Sequence, residues 1–116
     1  MTITKMENKS IKFNAELADL ILSGKKTATW RLFDDKDLQK GDKVIFIRRP
    51  ELKEFAKAKL TNVIEKPFNE LRFEDLEGHE DYPSKESMYS TFEGMYSKKV
   101  DGNTLVKVIK FEILKG

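Results

Sequence analysis

The sequence contains no cysteine and a single histidine, His79, and these shortages exclude several kinds of site. Without cysteine the protein has no disulfide bond, no thiolate nucleophile and no cysteine-bound metal. A zinc site built from several histidines is excluded as well. The acidic residues around His79 do not have the spacing of a calcium-binding loop. We therefore expect neither a structural metal nor a cofactor.

Long apolar runs and a large net charge are also missing. No stretch approaches the ~20 apolar residues of a membrane-spanning helix, and the first residues lack the apolar run of a signal peptide. We expect a cytoplasmic protein with no membrane partner. The 22 basic and 20 acidic residues give a net charge of +2. This balance does not by itself indicate a nucleic acid partner, although it is compatible with a local basic patch.

The apolar pattern of the 116 residues predicts a mainly β domain that also contains helices, an α+β fold. Strands are predicted at residues 11–13, 27–33, 43–49, 54–64 and 105–114. Helices are expected after the N-cap residues Asn14 and Ser84, with two short helical turns beginning near Phe68 and Phe73. Because strands and helices do not alternate regularly, a small antiparallel or mixed barrel with helices at its ends is favoured over a doubly wound sheet.

The domain boundary and one helix face follow from composition and spacing. Residues 1–9 are polar, and we expect them to form a flexible leader ahead of a single domain at residues 10–116. In the second helix, Met88, Phe92 and Met95 are spaced i, i+4 and i+7. This spacing predicts that all three pack in the core.

Residues 24–31, Gly-Lys-Lys-Thr-Ala-Thr-Trp-Arg, link the first helix to the second strand. The initial glycine is expected to end the helix in a left-handed conformation. In an extended chain Thr27, Thr29 and Arg31 would share one face, where hydroxyl and guanidinium groups suit carbonyl or phosphate oxygens. The long side chain of Lys26 can turn toward the same face. This stretch is therefore the first candidate site.

The acidic loop at residues 77–83 is the second candidate, because it combines several carboxylates with the lone histidine. If the loop lies over Lys26 and Thr29, one pocket contains an amine, a hydroxyl and a carboxylate. A lysine in a buried pocket can have a lowered pKa and accept a proton from a hydroxyl, while a carboxylate acts as an acid or orients its neighbours. His79 is a further candidate base or hydrogen-bonding group.

Both features also have a purely structural interpretation. The central stretch would then be an ordinary half-buried strand, with Trp30 in the core and the polar face turned to water. The acidic loop would be solvated, with His79 at the surface. The sequence by itself does not bring the loop and the strand together.

Basic residues form four small clusters, namely Lys25-Lys26, Arg48-Arg49, Lys57 with Lys59, and Lys98-Lys99. If the fold brings some of them together, they form a phosphate-binding surface on which Trp30 or a tyrosine can stack with a base. Otherwise they are a solvated face. The Gly-Lys-Lys-Thr segment is not a phosphate-binding loop, because it lacks the first glycine of the Walker motif.

Residues 21–31 followed by Gly41-Asp42 resemble the signature of the ASCH domain, a relative of the PUA RNA-binding domain. Residues 76–80 and 111–113 add to the resemblance, which spans residues 11–114. It implies a compact PUA-like β-barrel with helices covering the barrel openings. It also implies a cleft in which the first motif faces the acidic loop.

The resemblance further implies binding of RNA or of a modified nucleoside or nucleotide. One bacterial branch of the family hydrolyses the acetyl amide of acetylcytidine with a lysine, a threonine and a glutamate. Carried over, these roles fall on Lys26, Thr29 and a loop glutamate, either Glu80, which we favour, or Glu77. The remaining candidate ligand-binding residues are Lys25, Thr27, Trp30, Arg31 and His79.

Three hypotheses therefore remain. The first is an ASCH domain that binds RNA or a modified nucleoside in this cleft. The second is an amidohydrolase that acts on the linear amide of an acylated pyrimidine nucleoside. The third is an interaction module without chemistry. We expect a monomer in each case.

Overall fold

The computed structural model describes residues 9–33, 36–79 and 81–114. The elements are β1 (Lys9–Phe13), α1 (Ala15–Leu22), β2 (Ala28–Arg31), β3 (Lys43–Arg48), β4 (Lys53–Pro67), a 3₁₀ turn (Phe68–Glu70), α2 (Phe73–Leu76), α3 (Lys85–Tyr96) and β5 (Leu105–Ile113). The predicted mainly β fold with helices is confirmed.

The strands form one five-stranded mixed sheet in the order β1-β3-β4-β5-β2. Strand β1 is parallel to β3, whereas the other neighbouring pairs are antiparallel. The sheet curls into a half-barrel, so that its edge strands β1 and β2 approach each other. Arg31 Nη2 on β2 donates to Lys12 O on β1 over 2.9 Å. A side chain, rather than backbone pairing, thus links the two edges.

Two apolar clusters stabilise the curled sheet. In the first, the Phe46 ring packs edge-on against Phe13 and Phe111, with centroids 4.9 and 4.8 Å apart. Helix α1 contributes Ile21 to this cluster. The second cluster lies beneath α3 and surrounds Trp30. Burial of such aromatic side chains is the largest favourable contribution to a core of this size.

The predicted helix caps are confirmed. Asn14 Oδ1 accepts from Leu17 N over 2.9 Å at the start of α1, and Ser84 caps α3 in the same way. Gly24 follows the end of α1 with a φ of +82°. Among the described residues, no helix is long and apolar enough to cross a membrane.

Three details differ from the sequence predictions. Phe92 is buried as predicted, but Met95 is 57% exposed, because this part of α3 borders an open cavity rather than the core. Strand β2 ends at Arg31, before Phe33 adopts a left-handed φ of 52°. Residues 1–8 of the predicted leader lie outside the described residues, and Lys9 belongs to β1.

Candidate functional site

The backbone of residues 24–31 is fixed at both ends. At its start, Lys25 N and Lys26 N both donate to Leu20 O at the end of α1, over 2.9 and 3.1 Å. At its other end, β2 pairs with β5, and Thr29 lies opposite Ile109. The direction in which Lys26 and Thr29 leave the main chain is therefore set by a helix terminus and a strand pair.

The acidic loop docks directly onto this segment. Gly78 O accepts hydrogen bonds from Thr27 N and Ala28 N, over 2.9 and 3.1 Å. A Cβ atom added to Gly78 would lie 2.1 Å from Thr27 Oγ1, and the φ of Gly78 is +82°. Both facts require glycine here, because only glycine allows this approach and this conformation without strain. The loop and the motif thus form one unit.

Aromatic stacking strengthens the contact between loop and motif. The imidazole of His79 lies on the indole of Trp30, with centroids 4.0 Å apart and planes inclined by 15°. On α3, Phe92 is also nearly parallel to Trp30, at 6.2 Å and 19°. Trp30 Nε1 is buried and has no hydrogen-bond partner in the part of the chain that the structure describes. The indole is therefore oriented by stacking.

A cavity of about 460 Å³ lies between the two edge strands, the start of α1, the acidic loop and α3. Its walls include Lys26, Thr29, Trp30 and Arg31 from the motif, and His79 and Tyr82 from the loop. The volume lies within the range of small-molecule sites in proteins. The combination of aromatic rings with a few polar groups is also typical of such sites.

Lys26 and Thr29 are the polar residues of the motif that are buried in this wall, with exposures of 2% and 4%. A lysine is almost never buried to this extent unless its ammonium group is engaged. The geometry therefore brings a buried amine and a buried hydroxyl to one cavity. Such a pair can bind a carbonyl group or exchange a proton with one.

Other predicted residues lie outside the cavity wall. Lys25 and Thr27 are exposed. Both precede Ala28, the first residue of β2, so the side-chain alternation of the strand does not extend to Thr27. The Glu77 side chain is 80% exposed, and its carboxylate lies 3.7 Å from Lys110 Nζ on β5. Glu80, the favoured glutamate, lies outside the described residues.

The base of the acidic loop is anchored by a buried carboxylate on α2. Asp75 Oδ2 accepts from Lys66 Nζ over 2.8 Å and from Arg72 N over 2.7 Å. Burial alone would raise the pKa of Asp75, but these hydrogen bonds and the positive charge of Lys66 outweigh it and hold the pKa below its ordinary value. Asp75 thus fixes α2, which leads into the loop.

The comparison with protein families agrees with this geometry. A family model described as the ASCH domain matches residues 4–115. The chain belongs to the ASCH domain family. The family membership predicted from the resemblance of residues 21–31 is thereby confirmed.

Several solved structures share the fold of this ASCH domain. Protein EF3133 of Enterococcus faecalis V583 has a TM-score of 0.76 and 19% identity, covering 95% of this chain and 82% of that one. An ASCH domain from Lactobacillus crispatus JV V101 has a TM-score of 0.67 and 18% identity, covering 90% and 78%. A variant of ZmASCH from Zymomonas mobilis has a TM-score of 0.64 and 16% identity, covering 89% and 66%. No curated protein matches the sequence. At these identities the likeness shows the fold alone.

Sequence reasoning missed the opposite wall of the ASCH cavity as a unit, although Arg49 belongs to one of the predicted basic clusters. This wall includes Lys12 on β1, Glu16 at the start of α1, and Arg49 after β3. Lys12 lies between the core residues Ile11 and Phe13 in β1. This position indicates only that the Lys12 side chain faces away from the core. Its place beside the motif follows from the curl of the sheet, which no local pattern reveals.

The four basic clusters contribute unequally to this wall. Arg48 forms ion pairs with Asp19 and Glu51, both at 3.2 Å, whereas its neighbour Arg49 lines the cavity. The ammonium group of Lys98 lies over the Phe33 ring, 4.4 Å from its centroid. The cationic part of the cavity is thus assembled from residues far apart in the sequence.

Proposed function

We propose that this ASCH domain binds RNA or a modified nucleoside, with a base in the cavity between residues 24–31 and the acidic loop. The observation that carries the proposal is the burial of Lys26 and Thr29 in a wall that also contains stacked aromatic rings. Aromatic side chains stack on unpaired bases, and buried polar groups select their edges by hydrogen bonding. A cytoplasmic, monomeric protein is part of the same proposal.

The aromatic residues of the cavity suit this role because most are already held in place. Tyr96 Oη accepts from Leu32 N over 3.1 Å, which fixes its ring at the cavity wall. Trp30 and His79 hold each other by stacking. Little side-chain freedom is then lost when a base enters, and this preorganisation favours binding.

Hydrolysis of an acylated pyrimidine nucleoside is the second candidate function, and the shared burial of Lys26 and Thr29 favours it. In this proposal the amine of Lys26 accepts the proton of Thr29 Oγ1, which attacks the acetyl carbonyl. The carbon–nitrogen bond then breaks, and the exocyclic amine leaves after accepting a proton. Water finally cleaves the acetyl ester on Thr29.

A carboxylate would assist the proton transfers in this reaction. Glu80 is the proposed residue, and Glu77 is the less suitable alternative because its side chain is exposed and lies near Lys110. Glu16 is a carboxylate of the described cavity wall. Glu80→Gln and Glu16→Gln therefore test whether the loop or the start of α1 supplies the acid.

Two adjacent lysines provide a sharp test of the binding proposal. Binding of acetylcytidine, cytidine and a short single-stranded RNA is measured by calorimetry for Lys26→Met and Lys25→Met. Lys26 is buried in the cavity wall and Lys25 is exposed. The two variants lose the same charge and differ only in the position from which it is removed. We expect Lys26→Met to weaken binding at least about tenfold, since it removes a buried charged donor, and Lys25→Met to leave it nearly unchanged.

The hydrolase candidate is tested by incubating the protein with acetylcytidine and following cytidine release by chromatography. We expect release to disappear in Thr29→Val, which keeps the side-chain shape, and to persist in Thr27→Val, which changes an exposed threonine. Circular dichroism confirms that both variants are folded. If acetylcytidine binds but no cytidine is released, hydrolysis is rejected and only the binding function remains. If the protein neither binds nor hydrolyses these compounds, the proposal is wrong, and an interaction module without chemistry is the remaining hypothesis.

A further inference from the structure

A second cavity, of about 240 Å³, adjoins the first one. The two cavities share Lys12, Arg31, Arg49 and Tyr96, and Lys36 lines the second one as well. Four cationic side chains therefore surround a small space. None of the described residues that line it is acidic.

Two of these cations are held by described contacts with uncharged groups. Arg31 donates to the carbonyl oxygen of Lys12, and its guanidinium carbon lies 4.9 Å from the centroid of the Phe13 ring. Lys36 Nζ donates to Ser10 O over 2.6 Å. These contacts orient the two side chains at the cavity wall.

The other two cations have no described ion pair. Among residues 9–33, 36–79 and 81–114, neither the ammonium group of Lys12 nor the guanidinium group of Arg49 forms an ion pair or a side-chain hydrogen bond. The backbone of Arg49 is nevertheless fixed, because Arg49 N donates to Phe13 O over 2.9 Å. The exposed guanidinium group of an arginine with a fixed backbone is well suited to bind phosphate oxygens through two parallel hydrogen bonds.

We propose that the second cavity binds a phosphate group of the ligand whose base occupies the first cavity. The inference rests on the proposed function and narrows it, because the preferred ligand is then a nucleotide or RNA rather than a free nucleoside. Lys12 and Arg49 bring two like charges to one cavity, and an anion between them relieves the repulsion. Because Arg31 and Arg49 line both cavities, the phosphate would be close to the nucleoside in the ligand.

The test compares ligands that differ only in phosphate. Dissociation constants are measured by calorimetry for cytidine and acetylcytidine, each as the free nucleoside, the 5′-monophosphate and the 3′-monophosphate, and for the dinucleotide CpC. We expect a monophosphate or CpC to bind about tenfold or more tightly than the nucleoside, as charge-assisted hydrogen bonds predict. A preference for a monophosphate indicates a terminal phosphate, and a preference for CpC indicates a phosphodiester of RNA.

Two variants and a matched control locate the effect. Arg49→Gln and Lys12→Gln should each reduce the ratio between nucleoside and nucleotide dissociation constants severalfold. Lys59→Gln removes one positive charge from an exposed position on β4 that lines neither cavity, and it should leave the ratio unchanged. Thermal unfolding verifies that each variant is folded, and the exposed Lys12 provides a second test should Arg49→Gln be unstable.

The outcomes separate this inference from the proposed function. If nucleosides bind and their phosphates bind no more tightly, the phosphate site is wrong and the binding function remains. If Lys59→Gln reduces the ratio as strongly as Arg49→Gln, the effect is one of net charge, and the site is likewise wrong. If neither nucleosides nor nucleotides bind, both proposals are overturned.

Discussion

The two walls of the ASCH cavity are built in opposite ways. The wall formed by β2 and the acidic loop contains buried polar groups and stacked rings, as with Lys26 and the Trp30–His79 pair. The wall formed by β1 and the end of β3 contains cations at greater exposure, Lys12 and Arg49. In the proposed function, the first wall selects the ligand by shape and hydrogen bonding. The second wall attracts the ligand by charge.

The origin of the two walls differs as well. The first consists of two short segments, residues 24–31 and the acidic loop, which the contact of Gly78 with Thr27 joins. The second is assembled by the curl of the whole sheet, so that its residues share no local pattern. Variants that disturb one wall and spare the other are therefore the most informative.

Gly78→Ala should have the largest effect on the first wall. The new Cβ would meet Thr27 Oγ1 and the backbone of Ala28, and alanine disfavours the φ of +82°. We expect a loss of about 2–3 kcal/mol in the free energy of unfolding, measured by urea denaturation, from clash and backbone strain together. Binding of nucleosides should weaken in parallel.

Gly94→Ala is the matched control for this change. Gly94 lies within α3, and an added Cβ there meets no atom within 4 Å. Alanine at this position should stabilise the protein by about 0.5–1 kcal/mol, because it has the higher helix propensity. Unchanged stability and binding in Gly78→Ala would show that the loop does not need this close contact.

Asp75→Asn tests how the loop is anchored, and its effect depends on pH. Because the pKa of Asp75 is lowered in the folded protein, its carboxylate contributes stability above the unfolded-state pKa of about 4, and this contribution disappears as the pH falls through the folded-state pKa. We expect Asp75→Asn to reduce the free energy of unfolding at pH 7 by about 1–2 kcal/mol and to make it less sensitive to acid.

Asp19→Asn provides the comparison for this acid response. Asp19 forms an exposed ion pair with Arg48, so its replacement should change stability by less than about 0.5 kcal/mol. Urea denaturation of both variants at pH 7 and at pH 3 measures the difference. Equal acid sensitivity in Asp75→Asn and the unmodified protein would contradict the assigned role of Asp75.

Among the variants that disturb the first wall or its anchor, His79→Ala should have the smallest effect on stability. It removes a stacked ring from Trp30, which corresponds to about 1 kcal/mol for an aromatic pair. Because Trp30 is the only tryptophan, its fluorescence reports directly on this contact. We expect the Trp30 emission to change in His79→Ala and to stay unchanged in Lys59→Gln. Unchanged emission in both would show that the imidazole does not stack on Trp30.

Much of the first wall could be predicted from the sequence, because its information is local. Helix caps, the strand character of residues 28–31 and the family signature all lie within short segments. The docking of Gly78 onto Thr27 was beyond such reasoning, since it joins residues far apart in the chain.

The errors have equally physical causes. Met95 follows the apolar spacing of a core residue, but the spacing does not reveal that a cavity replaces the core at that position. Thr27 precedes the first residue of β2, so the alternation of a regular strand does not apply to it. The second wall was not predicted as a unit, because the approach of β1 to β2, which brings Lys12 beside the motif, depends on strand order and curl.

The most direct test of the central claim, that a base binds beside Trp30, is a fluorescence titration of the unmodified protein with cytidine and its monophosphates. Trp30 is the sole tryptophan and lies in the cavity wall. We predict a saturable change in emission whose midpoint agrees with the calorimetric dissociation constant and is shifted by Lys26→Met but not by Lys25→Met. Binding detected by calorimetry without any change in Trp30 emission would place the ligand elsewhere and contradict the claim.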